Sequence, residues 1–203
     1  MKKEYIPKLE FENECLEKGY RYIAGVDEVG RGPLAGPVVC AAVIMDLQKI
    51  VEWVDDSKKV SEKKREALYD KIIESAISYS IKEVSPEVID EINILNATKK
   101  CMIDAIEGLN VTPDIVLVDA VQLDTKIKTM PIIKGDFKSY SIAAASILAK
   151  VYRDRLMREN ALKYPDYGFD RNAGYGTKEH ISKIKEIGPC EIHRRTFIKN
   201  FWG

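Results

Sequence analysis

Residues 22–37 read YIAGVDEVGRGPLAGP, an apolar run that leads into a turn rich in glycine and proline. The apolar residues predict a strand that ends on two adjacent carboxylates, Asp27 and Glu28. Neighbouring anions repel each other, and a divalent cation such as Mg²⁺ or Mn²⁺, which prefers oxygen ligands, relieves that repulsion. The alternative interpretation is a solvated acidic pair at a strand end before a tight turn.

The turn that follows these acids contains Gly30, Arg31 and Gly32. Glycine allows the backbone to approach a ligand closely and to present its N–H groups to that ligand. Exposed amides and an arginine beside a carboxylate pair therefore predict metal-assisted chemistry on a phosphate group.

The charge of the chain is zero overall but unevenly distributed. Residues 134–203 carry 14 basic and 8 acidic side chains, whereas residues 1–133 carry 18 basic and 24 acidic ones. A basic C-terminal third beside an acidic site is typical of a surface that binds a polyanion, although the imbalance is modest. With 45% apolar residues, the 203-residue chain has ample material for a core.

The four cysteines have no CxxC spacing, which favours a reduced, intracellular protein without a zinc site or a disulfide framework. The N-terminal residues are charged and lack the apolar region of a signal peptide. The longest apolar stretch, residues 37–45, is too short to span a membrane. We therefore expect a cytoplasmic protein that does not bind membranes.

Hydrophobic periodicity predicts alternating strands and helices after a helical arm at residues 1–19. Strands are expected at residues 20–28, 37–46, 79–84, 114–119 and 127–133. Helices are expected at residues 61–77, 93–109, 139–163 and 177–187, with a short additional helix after Ser85. This order predicts an α/β fold with a mixed β-sheet flanked by helices, followed by a C-terminal helical segment and a basic tail.

Four acids end or follow the predicted strands, and they are Asp27, Glu28, Asp119 and Asp136. Carboxylates at strand ends and at a neighbouring helix start can converge on one edge of a sheet. Four acids suffice for two divalent ions, and two ions about 3.5–4 Å apart can promote an in-line displacement at phosphorus. The chain has only two histidines, His180 and His193, which disfavours a histidine-centred mechanism.

A series of motifs along the chain resembles the ribonuclease HII family, in order and in approximate spacing. The motifs are GVDEVGRGPLAGPVVCAAVI from residue 25, DDSKK at 55–59, NILNAT at 93–98, VDA at 118–120, KGD at 134–136, SIAAASILAKVYRD at 141–154 and GFDRNAGYGTKEH at 168–180. The resemblance covers roughly residues 20–196, and the combination is far more specific than any single motif.

The resemblance implies an RNase H-like fold, with residues 20–203 as a single catalytic domain that includes the C-terminal helical and basic segment. It implies an endonuclease that hydrolyses the RNA strand of RNA–DNA hybrids and cleaves 5′ to single ribonucleotides in duplex DNA. The expected products carry 3′-hydroxyl and 5′-phosphate ends. The expected partners are these two nucleic acids, and we expect the protein to be a monomer.

The resemblance also assigns residues to the site. The family's four metal ligands correspond to Asp27, Glu28, Asp119 and Asp136, which are expected to hold two Mg²⁺ or Mn²⁺ ions. Its glycine-arginine-glycine motif, whose backbone senses the 2′-hydroxyl, corresponds to Gly30, Arg31 and Gly32. Its ribonucleotide-junction tyrosine corresponds to Tyr175. The family commonly has lysine two residues before this tyrosine, where the chain has Ala173.

Weaker candidates for contact with the nucleic-acid backbone are Lys58, Ser146, Lys150, Arg194 and Arg195. For Lys58 the alternative is a solvated loop lysine, and for the two arginines it is a solvated basic tail. Asp154 is expected to form a helical ion pair rather than bind metal. Asn93 is equally well interpreted as a helix cap, and His180 as a packing residue.

Three other functions remain open at this point. A non-catalytic nucleic-acid-binding protein of the same fold would be expected to lack at least one of the four acids, and none is lacking. A two-metal hydrolase of small molecules would need a closed pocket, whereas the basic C-terminal third favours an open groove. A ribonuclease HIII-like enzyme would be expected to carry a further domain before residue 20.

Overall fold

The structure, a computed structural model, describes residues 5–55, 57 and 60–202. A mixed sheet of five strands lies at its centre, in the order β3-β2-β1-β4-β5. The strands are β1 Ile23–Val29, β2 Val38–Met45, β3 Ala76–Val84, β4 Ile115–Asp119 and β5 Thr129–Ile132. The β1–β2 and β2–β3 pairs are antiparallel, whereas β4 runs parallel to β1 and β5 parallel to β4.

Helices cover both faces of this sheet, which confirms the predicted α/β fold. They are α1 Glu10–Glu17, α2 Glu62–Ser75, α3 Pro86–Glu107, α4 Gly135–Lys138, α5 Tyr140–Lys163, α6 Phe169–Asn172, α7 Lys178–Ile187 and α8 Arg195–Ile198, with a 3₁₀ turn at Pro165–Tyr167. Helix α3 packs on one face, and α5 with α2 packs on the other. Within the described ranges, no helix is long and apolar enough to cross a membrane.

The long helix α5 lies directly against the central strand. A Cβ atom on Gly25 would lie only 2.2 Å from the backbone carbon of Ser141, so this contact requires glycine. The first half of α5 is rich in small buried residues, as its sequence predicts. The close contact brings side chains of α5 next to the end of β1, where Asp27 lies.

The N-terminal arm fixes the beginning of α5. Glu12 is fully buried, and its Oε1 accepts hydrogen bonds from Ser139 Oγ at 2.6 Å and from the Ser141 N–H at 2.8 Å. Ser139 Oγ also accepts from the Ile142 N–H and so caps the start of α5. Only residues 10–17 of the predicted arm are helical among those described.

Two element boundaries differ from the predictions for identifiable reasons. The helix predicted to extend to residue 77 ends at Ser75, because the next residues pair with β2 as the start of β3. The short helix after Ser85 and the helix from residue 93 form one element, α3, with a kink at Asn93, where φ is 65°. Asn93 Oδ1 accepts from the backbone N–H of Leu95 and of Asn96, so its interpretation as a helix cap is confirmed.

Candidate active site

Asp27 lies at the end of the central strand, in the interior of the protein, with only 4% of its surface exposed. The N–H of Glu28 donates to Asp27 Oδ1 at 2.8 Å, and the neighbouring hydroxyl of Ser146 lowers the pKa of the same carboxylate. A second hydroxyl, that of Ser57, lies 2.9 Å from Ser146 Oγ. Helix α5 and the loop before α2 therefore place a pair of hydrogen-bonded hydroxyls beside the Asp27 carboxylate.

Glu28 follows Asp27 and is also largely buried. Its Oε1 forms an ion pair with Arg31 Nη1 at 3.6 Å. Its Oε2 is buried without a hydrogen-bond partner among the residues described. A buried carboxylate oxygen without a donor is costly, and an oxygen-binding cation would satisfy it.

Asp119 reaches the same edge of the sheet as Asp27. Strands β1 and β4 are parallel, in a register that pairs Val26 with Val118, so the next residue of each strand lies at the shared carboxyl end. Charge coupling supports this proximity, because the Asp119 charge raises the pKa of both Asp27 and Glu28.

Asp136 is brought to this edge by the short helix α4. The N–H of Gly135 donates to Asp119 Oδ1 at 2.7 Å, which ties the start of α4 to the end of β4. A Cβ on Gly135 would lie 2.6 Å from Ile142 Cδ1, so a larger residue here would force the Ile142 side chain to shift. Asp136 follows immediately and is only 9% exposed. The four predicted acids thus come from β1, β4 and α4, at one end of the sheet.

Burial and mutual repulsion raise the pKa of two of these acids. Burial, and then the charges of Glu28 and Asp119, raise the pKa of Asp27 well above its ordinary value. Burial raises the pKa of Glu28 to about 7, opposed by Arg31 and reinforced by Asp119. A bound divalent cation would reverse this balance, because it stabilises the ionised form of every ligand carboxylate.

The residues present therefore fit divalent metal ions as ligands. The buried, unpartnered oxygen of Glu28 and the concentration of negative charge around Asp27 are features that a cation would stabilise. In the part of the chain that the structure describes, no three acidic, histidine or cysteine side chains are already grouped as a metal cage. Asp27 and Asp119 are instead held by backbone N–H groups, those of Glu28 and Gly135.

The raised pKa of Glu28 predicts a pH-dependent stability in the metal-free protein. The folded state binds this proton more tightly than the unfolded state, whose pKa is 4.5. The contribution of Glu28 to the free energy of unfolding in EDTA should therefore be greatest below about pH 4.5 and should fall by on the order of 3 kcal/mol as pH rises to about 7. Thermal melts of the wild type and of Glu28→Gln test this. The decline should be smaller in the variant than in the wild type, and an identical decline in both would remove Glu28 as a contributor.

The Gly30-Arg31-Gly32 segment leads directly away from the two acids of β1. Gly30 has φ +96°, and a Cβ there would lie 2.3 Å from Arg153 Nε, so its backbone conformation and its packing both require glycine. Gly32 is different. Its φ is ordinary, it is exposed, and a Cβ would meet only the Tyr175 ring at 3.7 Å, which is normal contact. Neither the backbone conformation nor the packing explains the glycine at position 32.

Two buried arginines hold this loop from beneath. Arg194 is fully buried, and its guanidinium donates to the carbonyl oxygens of Gly30, Arg31 and Gly36. Arg153 is also fully buried and donates to the carbonyls of three more residues, which are Ala35, Pro37 and Ala173. Burial and the Arg153 charge lower the pKa of Arg194 to about 9, which leaves it protonated at neutral pH. The pair fixes the loop and places positive charge below it.

Tyr175 lies on a second loop, residues 173–177 between α6 and α7 (the tyrosine loop), which packs beside the Gly30–Gly32 loop. Gly174 accepts a hydrogen bond from the Leu34 N–H at 2.8 Å, and a Cβ on Gly174 would lie 2.4 Å from the Ala35 oxygen. The two loops are therefore in direct backbone contact. The Tyr175 ring is 45% exposed and lies beside Gly32, so Gly32 and the tyrosine share one surface.

The predicted phosphate contact of Arg194 is wrong. The side chain has no exposed surface, and its donors are used by backbone carbonyls. The predicted backbone contact of Ser146 is also contradicted, because this residue is 6% exposed and its hydroxyl pairs with that of Ser57. Both residues support the site from within and do not face a ligand.

The other basic candidates have different positions. Arg195 is exposed, and only its backbone N–H is used, in a hydrogen bond to Asp90. Lys150 is partly exposed and pairs with Asp154 at 2.6 Å, which is the helical ion pair expected for Asp154. Both nucleic-acid contacts stay predictions. Lys58 lies outside the described residues.

Sequence reasoning missed the roles of Arg153 and Ser57 and the pairing of His180 with His193. Arg153 lies in a helix with many charged residues, and only its position one turn before Met157, itself buried, hints at an inward direction. Ser57 lies in the DDSKK motif, whose lysine is the more obvious candidate for a phosphate contact. The two histidines are 13 residues apart, and nothing local indicates that they touch.

Comparison with known proteins gives a consistent result across sequence and structure. The family model described as Ribonuclease HII matches residues 24–202. A ribonuclease HII of Caldicellulosiruptor bescii is 57% identical over 192 residues, which cover 94% of this chain and 93% of the relative. The crystal structure of ribonuclease H2 from Pyrococcus horikoshii OT3 has a TM-score of 0.75 at 30% identity, covering 87% of this chain and 93% of that one.

A more distant structure shares the fold. Bst-RNase HIII in complex with Mn²⁺ has a TM-score of 0.61 at 16% identity, covering 82% of this chain and 63% of that protein. At this identity the similarity concerns the fold alone, and the Mn²⁺ is a property of that protein.

Proposed function

The chain belongs to the ribonuclease HII family, and from this premise we propose that it cleaves both RNA–DNA hybrids and duplex DNA containing a single ribonucleotide. Ribonuclease H activity follows from the family. The finer proposal is cleavage 5′ to the ribonucleotide, by hydrolysis that depends on two divalent ions. The observation that carries it is the adjacency of the acidic sheet edge, the Gly30–Gly32 loop and the exposed ring of Tyr175.

The proposed ligands of the two ions are Asp27, Glu28, Asp119 and Asp136. Divalent ions bound there would neutralise the phosphate, activate water for attack and stabilise the leaving oxygen. The protein's part is to hold the ligands. The Glu28 N–H orients Asp27, the Gly135 N–H orients Asp119, and Arg31 adds a positive charge next to Glu28.

Neither histidine is placed to act as a general base. His180 and His193 are buried, and all four ring nitrogens lie within hydrogen-bond distance of partners inside the protein. This supports a mechanism in which the carboxylate site and its ions perform the chemistry. It also agrees with the absence of any histidine among the proposed ligands.

Recognition of the ribonucleotide is assigned to the exposed backbone at Gly32 and to Tyr175. A 2′-hydroxyl both donates and accepts, and it is the group that distinguishes RNA from DNA. A glycine that the fold does not require, on the surface next to the acidic edge, fits a position where a sugar approaches the backbone closely. The neighbouring ring can press on the same sugar.

Gly32→Ala tests this assignment, because the added methyl is harmless to the fold but lies where the sugar would approach. We expect the melting temperature to change little and kcat/KM on a single-ribonucleotide duplex to fall roughly 10- to 100-fold. Gly30→Ala is the matched control, since its methyl would clash with Arg153 at 2.3 Å and lower the stability. Full activity of Gly32→Ala would place the substrate elsewhere.

Tyr175→Ala should reduce cleavage at a lone ribonucleotide more than cleavage of a long hybrid. A lone ribonucleotide offers one junction that the site must locate, whereas a long hybrid offers many registers. The measurement is kcat/KM on both substrates, with a thermal melt as control. Equal losses on the two substrates, or a lower melting temperature that accounts for them, would mean that Tyr175 only packs the loop.

The proposal as a whole is tested by a cleavage assay on three duplexes of one sequence: RNA–DNA, DNA with a single ribonucleotide, and DNA alone. Each is incubated with Mg²⁺, with Mn²⁺ and with EDTA. We expect cleavage of the first two with either ion, none with EDTA, and an intact all-DNA duplex. Cleavage of the hybrid but not of the single-ribonucleotide duplex would restrict the function to hybrids.

A further inference from the structure

Both histidines of the chain lie buried beneath the tyrosine loop and contact each other. His180 Nε2 and His193 Nε2 are 2.9 Å apart, and the two residues are 0% and 2% exposed. The rings of Tyr167 and Phe169 pack around them. The catalytic site proposed above uses neither imidazole, so the pair requires its own explanation.

The hydrogen bonds around the pair determine where each proton lies. The Cys190 N–H donates to His193 Nδ1 at 2.9 Å, so this nitrogen carries no proton. Neutral His193 then carries its proton on Nε2 and donates to His180 Nε2. His180 must therefore carry its proton on Nδ1, which lies 2.8 Å from the backbone oxygen of Tyr175. The result is a directed series of hydrogen bonds, the relay, which runs from the Cys190 amide through both imidazoles to the Tyr175 carbonyl.

The relay forms only while both imidazoles are neutral, because an imidazolium would place two N–H groups face to face. Burial lowers the pKa of His180, and burial together with the His180 contact lowers the pKa of His193 to about 4. The titratable and charged groups that face the pair are Cys190, Tyr167 and Arg195, whose positive charge also disfavours an imidazolium. Both imidazoles are therefore neutral at neutral pH.

The hydrogen bond from His180 restrains Tyr175, which lies between two glycines. These glycines leave the backbone on either side with wide conformational freedom. The N–H of Tyr175 donates to the Asn172 oxygen, and its carbonyl accepts from the Thr177 N–H and from His180. The bond from His180 is the one that ties this carbonyl to the interior across the turn. Loss of this bond would free the residue that carries the exposed ring.

We propose that His180 and His193 are positioning residues, which hold the carbonyl of Tyr175 so that its ring stays beside Gly32 for recognition of a lone ribonucleotide. The inference rests on the proposed role of Tyr175. It predicts that the pair controls selectivity, defined as kcat/KM on the single-ribonucleotide duplex divided by kcat/KM on the long hybrid.

The first test is direct, because the chain has only two histidines. Long-range ¹H–¹⁵N spectra of the imidazole rings in the full-length protein at pH 7 distinguish the two neutral tautomers and the imidazolium. The proposal requires one ring protonated at Nε2 and the other at Nδ1, assigned to His193 and His180 by the loss of one set of signals in a variant of either residue. An imidazolium in either ring, or two rings of the same tautomer, would overturn the relay.

The second test measures selectivity in three variants. His180→Phe keeps a ring in the cluster but removes the donor, and selectivity should fall about 3- to 10-fold, the effect of one lost hydrogen bond. His180→Asn, whose amide N–H can replace the Nδ1 donor, should recover most of it. Tyr167→Phe is the matched control. It removes the hydrogen bond to the Gly188 oxygen in the same cluster, and it should lower stability without changing selectivity.

The outcomes separate this inference from the proposed function. If Tyr175→Ala lowers selectivity but His180→Phe does not, the relay is overturned and the role of Tyr175 stands. If Tyr175→Ala leaves selectivity unchanged, the junction role itself is overturned, whatever the tautomers are. Equal effects of Tyr167→Phe and His180→Phe on selectivity would show that the cluster acts through stability alone, which also overturns the proposal.

Discussion

Replacement of Asp136 by asparagine is expected to lower kcat/KM for hybrid cleavage by more than about 100-fold, while affinity for the duplex stays close to that of the wild type. Asparagine has nearly the same volume but no negative charge, so the change removes a proposed metal ligand and leaves the surrounding packing in place. The measurements are single-turnover cleavage in saturating Mg²⁺ and duplex binding by fluorescence anisotropy.

Asp154→Asn is the matched control for this change. Asp154 is also an acid, but it lies on α5 and pairs with Lys150 at 2.6 Å and with Arg65 at 3.6 Å, neither of which is a proposed ligand. Its loss should alter stability slightly and cleavage by less than about tenfold. A fully active Asp136→Asn combined with an inactive Asp154→Asn would mean that Asp154, and not Asp136, is the metal ligand.

Arg194→Met is expected to destabilise the protein by about 3–5 kcal/mol, because it leaves the carbonyls of Gly30, Arg31 and Gly36 buried without donors. For a chain of this length, this corresponds to a fall in melting temperature of about 6–20 °C. The Gly30–Gly32 loop loses its support at the same time, so cleavage of both substrates should fall even at temperatures where the variant is folded.

Its sequence neighbour supplies the control. Arg195 is exposed, so Arg195→Ala should leave the melting temperature almost unchanged. If this side chain contacts a phosphate, the same variant should reduce the slope of log K against log salt by up to about one. A stable Arg194→Met with a reduced salt slope would mean that Arg194 faces the nucleic acid after all, and the buried clamp would be the wrong description.

The fold and the acidic edge could be predicted because their signals are local. An apolar run that ends on Asp27 and Glu28, and the DIVLVD stretch that ends on Asp119, each place a carboxylate at a strand terminus. Parallel pairing of β1 and β4 then brings the ends together. Asn93 and Ser139 were identifiable as caps because short polar side chains before a helix satisfy the backbone N–H groups at its start.

Burial of charged and polar side chains could not be predicted in the same way. The His-Arg-Arg sequence at residues 193–195 reads as a basic tail, yet the first arginine is fully buried and the second is exposed. The distinction depends on where residues 30–36 pack, more than 150 positions earlier in the chain. Other arginines of the C-terminal third form surface ion pairs with acids of α2, as Arg155 does with Glu66 and Arg158 with Glu62.

The most direct test of the central claim, hydrolysis 5′ to a lone ribonucleotide at the carboxylate site, is cleavage of a single-ribonucleotide duplex in H₂¹⁸O with Mg²⁺. The phosphate on that side is attached to a deoxynucleotide, so no neighbouring 2′-hydroxyl can attack it, and water must be the nucleophile. Mass spectrometry should find an all-DNA fragment with a 3′-hydroxyl, and a second fragment that begins with the ribonucleotide and carries ¹⁸O in its 5′-phosphate. A first fragment that instead ends in the ribonucleotide as an unlabelled 2′,3′-cyclic phosphate would contradict the account.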